Sequence, residues 1–274
     1  LALTGKDGAV GIYSNASTAT NSGTLTTNNQ SSIGIYGKWF STLTNNNVIT
    51  TSGNKSVGIF AENSTVENKG ANGKITAKGT QSAGIYGMGS IITNEKEIIT
   101  EETGSAGIYA NDSDVTNKST GKITIQKGSS AGIYATSTSM KNVTNDGDIE
   151  VGLAGSSEIK GVGIYAGGYQ NVEHNGNINI HMGNSIGIYG EGENVSIENK
   201  NKITSDASVS SVIGIMADKA KVSNLIGSEI KLQGKDSVGV YGINESEIEN
   251  SGSILITSTD NDSKSVGILA DKGT

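Results

Sequence analysis

Carboxylates spaced two apart are the first residues in this chain that could do chemistry: Asp112/Asp114, Asp146/Asp148, Glu191/Glu193 and Asp260/Asp262. Such pairs serve as the acid and base of glycoside hydrolysis, or as calcium ligands, when a cleft holds them at a fixed separation and raises one pKa. Here the pairs fall in different repeats and mostly in segments read below as corners, where solvated acids are ordinary. The chain has no Arg, so a common base or charge-neutralising group of polysaccharide lyases is absent too. His174 and His181 are the only histidines and there is no Cys, and with no carboxylate seen to converge on them they predict no metal site. No Gly-rich phosphate loop, nucleophile elbow or Ser/His/Asp grouping occurs. The residues predict neither catalysis nor a cofactor.

Aromatic residues offer a different chemistry, contact with a glycan or a protein. Tyr13, Tyr36, Phe60, Tyr86, Tyr109, Tyr134, Tyr165, Tyr189 and Tyr241 recur at one place in a repeated pattern, with Met216 and Leu269 as substitutes. So regular a row reads as a self-stacked structural ladder more readily than as a ligand site. The irregular aromatics are the sharper candidates: Trp39 and Phe40, adjacent in the second repeat, and Tyr169 in the comparable arc of the seventh. They are either packed locally over the surface or anchors for a partner.

The pattern that positions them is a tripeptide. Gly-Ile-Tyr or a close variant opens at Gly11, Gly34, Gly58, Gly84, Gly107, Gly132, Gly163, Gly187, Gly214, Gly239 and Gly267, eleven copies at gaps of 23 to 31 residues. Each copy then carries a β-branched residue two before an Asn, as at Val66-Asn68 and Val115-Asn117, and an Ile in a Gly/Asn/Lys-rich run, as at Ile75 and Ile123. Gaps of this size suit one solenoid coil, and three marked segments per copy predict three short strands. The whole chain, 1–274, reads as one all-β, single-stranded parallel β-helix of about eleven coils. Alternation along a strand predicts that the residues one before, one after and three after the repeat Gly point inward, and that the aromatic row points outward. The recurring Asn predicts an internal amide ladder, with His174 standing in for one rung. The long insertions, 151–161, 205–211 and 259–265, all fall in the turn that leads back to the repeat Gly. The chain opens and closes in mid-coil, which predicts a fragment of a longer rod.

Composition narrows the partners. A formal net charge of -7, with Lys as the only cation besides His, offers no basic stripe and no guanidinium fork for nucleic acid. No apolar run is long enough to span a bilayer, so direct membrane insertion is not predicted. The absence of Pro fits stacked strands, in which every amide has a partner in the neighbouring coil.

The Ser-Val-Gly-Ile strand, the Val-x-Asn corner and the Asn-x-Gly-x-Ile-Thr strand together resemble the passenger repeats of large type V autotransporter adhesins, most of all the very long fusobacterial ones. The likeness covers all eleven copies. It implies a right-handed β-helix displayed outside a Gram-negative cell and anchored through an outer-membrane barrel. The implied function is adhesion to a host-cell surface protein or glycan, or to the surface of other bacteria. The alternatives are a carbohydrate-active β-helix enzyme and a structural stalk with no ligand of its own.

Overall fold

A computed structural model describes residues 1–4, 6–258 and 262–272 as an all-β parallel solenoid of about eleven coils. Third strands of successive coils form one 11-stranded sheet, and first and second strands together form an 18-stranded sheet. Every strand pairing is parallel, coil on coil, as in Ile75 opposite Ile49 and Ile98. Ten steps of the inter-strand spacing give a rod about 50 Å long.

Three rows of aliphatic side chains fill the interior, one from each strand, such as Ile85, Ile92 and Ile98 in the fourth coil, each fully buried. Burial of each side chain is worth about 2 kcal/mol. No coil could close such a core alone, so the coils stabilise one another by stacking.

The repeat glycine has a steric cause. A Cβ on Gly58 would lie 2.4 Å from Cγ2 of Ile75 and 2.5 Å from the carbonyl oxygen of Gly84, and Gly34, Gly84 and Gly107 face the same crowding. The glycine and the Ile after it are both buried, as at Gly34 and Ile35, so the strand kinks there and resets the alternation. The preceding residue therefore does not point inward as the plain alternation predicts: Ile33, Val57 and Val162 are half-buried on the outer side. The residue three after the glycine is inward as expected, and at Gly37 a Cβ would strike Leu43.

Buried polar ladders tie the coils together. Asn21, Asn45, Asn68, Asn94, Asn117 and Asn145 each donate from Nδ2 to the next rung, at 2.8 to 3.1 Å. The rung after Asn145 is the ring of His174, as the sequence pattern predicts. Two serine ladders accompany this one, and the sequence reading did not single them out. Ser32, Ser56, Ser82 and Ser105 donate their N–H groups to the next coil's serine Oγ, and so do Ser41, Ser64 and Ser90 at the first corner.

Three strands per coil does not hold throughout. In coils six to eight the first and second strands run on as single strands, Ala131–Asn145, Val162–His174 and Ile186–Asn199. Their longer first arcs pair with one another across the corner, as Thr136 with Gly167 and Lys141 with Gln170. Of the insertions, 151–161 and 205–211 are described surface segments, while Thr259 and Asn261 lie outside the described residues, as does Asp260 of the last carboxylate pair.

Candidate functional site

The corner between first and second strands needs left-handed backbone, and most coils meet that need with one residue, among them Ala16, Asn63, Gly89, Asp112 and Lys219. Two coils use two in succession, the second at Trp39 (φ 55°) and Phe40 (φ 62°) and the tenth at Asn244 (φ 55°) and Glu245 (φ 68°). The N–H groups of Trp39 and Phe40 donate to the carbonyls of Glu62 and Asn63 in the next coil, at 3.1 and 2.7 Å, which fixes the turn. Left-handed geometry costs a bulky L-residue about 1 kcal/mol. Trp39 is 54% exposed and Phe40 is 86% exposed. The turn sets Phe40 in solvent, while nearly half of Trp39 is covered by the surface around it.

Tyr169 follows Gly168, whose φ is 82°, and is 42% exposed. Its carbonyl accepts a 2.6 Å hydrogen bond from Ser137 Oγ in the preceding coil. It shares the corner edge with Trp39 and Phe40 but lies five coils away, about 24 Å along the axis. The fold does not gather these aromatics into one pocket. Met88, Ile91 and Met140 are also exposed in the corner arcs between them.

The aromatic row lies outward and half-buried, with Tyr13 more exposed, and Met216 and Leu269 occupy its register. Ring centroids of successive members from Tyr13 to Tyr189 lie 4.5 to 5.4 Å apart, so the row packs on itself as a ladder. Tyr241 sits between Met216 and Leu269. Beside the row, Tyr109, Tyr134 and Tyr165 wall a groove of about 390 Å³ against the opposite corner at Ser129 and Lys160. Ala106 and Ala131, which stand where other coils have Val or Ile, line that groove.

Several of the carboxylates singled out above are engaged by a neighbouring coil. Asp112 accepts from the N–H and Oγ1 of Thr138, Asp146 from Asn175 and Asp148 from Asn177. Glu191 accepts a 2.6 Å hydrogen bond from the Tyr165 hydroxyl. No two of them face each other across a cleft in these bonds.

A convergence that the sequence reading missed involves His181. Its Nε2 lies 3.0 Å from Glu150 and its Nδ1 2.7 Å from Asp206, one coil to either side. Lys122 adds an ion pair to Glu150 at 3.2 Å. Hydrogen bonds to Glu150 and Asp206 push the imidazole pKa up to about 9, and the His181 bond holds Glu150 down at about 2. The ring therefore bridges the two carboxylates as a cation at neutral pH. Each nitrogen faces a different carboxylate, and among the described residues no group of three or more His, Asp and Glu is arranged to hold a metal ion. Counting one coil length back and forward from His181 would have revealed the partners.

His174 differs in every respect. It is fully buried, and burial pushes its pKa down to about 4. Nδ1 accepts from Asn145 Nδ2 at 3.1 Å, so Nε2 carries the proton and donates to the Lys202 carbonyl at 3.2 Å. The ring is a neutral rung of the ladder.

No family model, curated protein or solved structure matches this chain. Among the described residues no helix is long and apolar enough to cross a membrane.

Proposed function

We propose that the chain is an adhesive segment of a type V autotransporter passenger, a non-enzymatic rod that presents its corner residues to a host-cell surface protein or glycan, or to other bacteria. The observation that carries this reading is the Trp39–Phe40 turn, two large apolar rings held in solvent by a strained backbone. The corner geometry sets the turn, and exposed aromatics are the side chains that most often anchor a partner. The repeat resemblance supports the same reading, and supports a location outside a Gram-negative cell. The ladders support it as well, since an interior tied coil to coil makes a rod stiff enough to project a contact point. The engaged carboxylates argue against a hydrolase.

The experiment is binding of the folded segment to host cells and to partner bacteria, with and without competing free sugars. The Trp39→Ala/Phe40→Ala variant is expected to keep its circular dichroism and lose binding. Phe40→Gly, which relieves the left-handed strain, is expected to unfold at higher denaturant while binding more weakly. Undiminished binding by both variants would remove the site, and no binding by the folded parent would make the segment a stalk.

A further inference from the structure

The aromatic row is not uniform, and its middle carries a chemistry that a plain ladder does not need. Rings of Tyr86 and Tyr109 stack at 4.6 Å and 4° from parallel, Tyr109 and Tyr134 at 5.0 Å and 19°, and Tyr134 and Tyr165 at 4.5 Å and 12°. Phe60 continues the stack on Tyr86 at 4.9 Å and 22°, but beyond these five rings the geometry changes. Tyr13 and Tyr36 are tilted by 56°, Tyr165 and Tyr189 meet edge-on at 76°, and Phe60 follows Tyr36 with no hydroxyl. Four consecutive phenols therefore lie face to face on a half-exposed surface, at the point where Ala83, Ala106 and Ala131 replace the Val or Ile of other coils.

The last phenol of the run has a proton acceptor in place. Tyr165 donates to Glu191 Oε2 at 2.6 Å, so an electron can leave its ring as its proton passes to the carboxylate. Burial and that same carboxylate hold the phenol pKa above its ordinary value, so a lone phenolate is not the route. Loss of the electron and the proton together is.

We propose that the stack Tyr86–Tyr109–Tyr134–Tyr165 is an oxidative cross-linking site that forms dityrosine between successive coils, first between Tyr134 and Tyr165. The oxidant is hydrogen peroxide acting through a haem peroxidase. Each of two phenols loses one electron and one proton. The two phenoxyl radicals join through the carbons ortho to oxygen, making one C–C bond, and the hydrogens on those carbons move to the two oxygens as the rings regain aromaticity. The pair as a whole gives up two electrons and two protons, and one peroxide takes them up to become two waters. The new bond staples coil six to coil seven and closes a chain loop between residues 134 and 165, so the rod resists unravelling there.

The test is oxidation of the purified segment with a haem peroxidase and limiting peroxide, followed by trypsin and mass spectrometry. Lys127, Lys141, Lys160 and Lys200 place Tyr134 in peptide 128–141 and Tyr165 in peptide 161–200, where fragmentation of the joined product separates it from Tyr169 and Tyr189. The expected product is those two peptides joined, lighter than their sum by two hydrogens and fluorescent as dityrosine, in a yield that does not change with protein concentration. Tyr134→Phe is the variant of choice, because Phe60 shows that the row accepts Phe. It removes two of the three stacked tyrosine pairs and should abolish this product while leaving a Tyr86–Tyr109 link. Cross-links that grow with protein concentration, that fall on Tyr169 or Tyr241, or that survive in Tyr134→Phe at the parent yield would overturn the proposal. So would an absence of dityrosine under conditions that couple free tyrosine.

Discussion

Replacing His174 by Asn tests the ladder and the burial together. In other rungs an asparagine makes two donations, one to the next rung and one to a carbonyl at or just before the third strand, as Asn68 does to Asn94 at 2.8 Å and to Glu97 at 3.3 Å. His174 keeps the second of these, to Lys202, and forgoes the first, which leaves the buried Oδ1 of Asn199 without a partner. An unsatisfied buried acceptor costs about 1–3 kcal/mol, so His174→Asn recovers part of that and loses some packing volume. The larger effect is in pH. The folded-state pKa of about 4 lies below the unfolded value of about 6.5, so below pH 6.5 the unfolded chain binds a proton that the folded one excludes. Stability is lost as pH falls through that window. From about pH 7.5 to about pH 4.5 the penalty grows by about 2.5 kcal/mol, and the Asn variant does not suffer it. Urea unfolding of parent and variant at both pH values, followed by circular dichroism, isolates the term because every other titrating group is shared. A difference between the two proteins that stays constant with pH would refute a neutral buried imidazole, and a variant less stable than the parent at both values would refute the ladder geometry.

Two further outcomes follow from the packing and the charges. Gly58→Ala sets a methyl against Ile75 and the Gly84 carbonyl, and should destabilise the rod by about 3 kcal/mol or more, read as a lower urea midpoint; a midpoint unchanged from the parent would show that the coil yields there. His181 has a folded pKa above its unfolded one, so its bridge to Glu150 and Asp206 stabilises fully below about pH 6.5 and fades as pH rises through about 9. The imidazole carbon resonance should titrate near that value and move down in Glu150→Gln; a midpoint near 6.5 in the parent would show that the carboxylates do not hold the ring.

Much of this molecule is written in spacing. The eleven repeat glycines, the Ile or Val that follows each one and the corner Asn specify coil length, inward faces and ladder, because a stacked parallel sheet places each residue beside its equivalent one coil away. The outward aromatic row and the rung at His174 were legible for the same reason. What the repeat did not carry was what departs from it. A two-residue period assumes a straight strand, and the kink at Gly34 and its equivalents broke the period where the Ile of the third strand needs the room. The serine ladders were visible as recurring Ser, but a side chain that accepts from a backbone amide one coil away has no signature within its own strand.

The sequence by itself determined the solenoid, its core rows and the candidate aromatics, since those depend on residue type and period alone. Tertiary structure decided the rest, because it depends on which residues two different coils bring to one place. It turned Trp39 and Phe40 into solvent on a left-handed turn, set His181 between two carboxylates and laid four tyrosines face to face. The bridge and the stack join residues of adjacent coils, and a single repeat does not record what its neighbour sets opposite it.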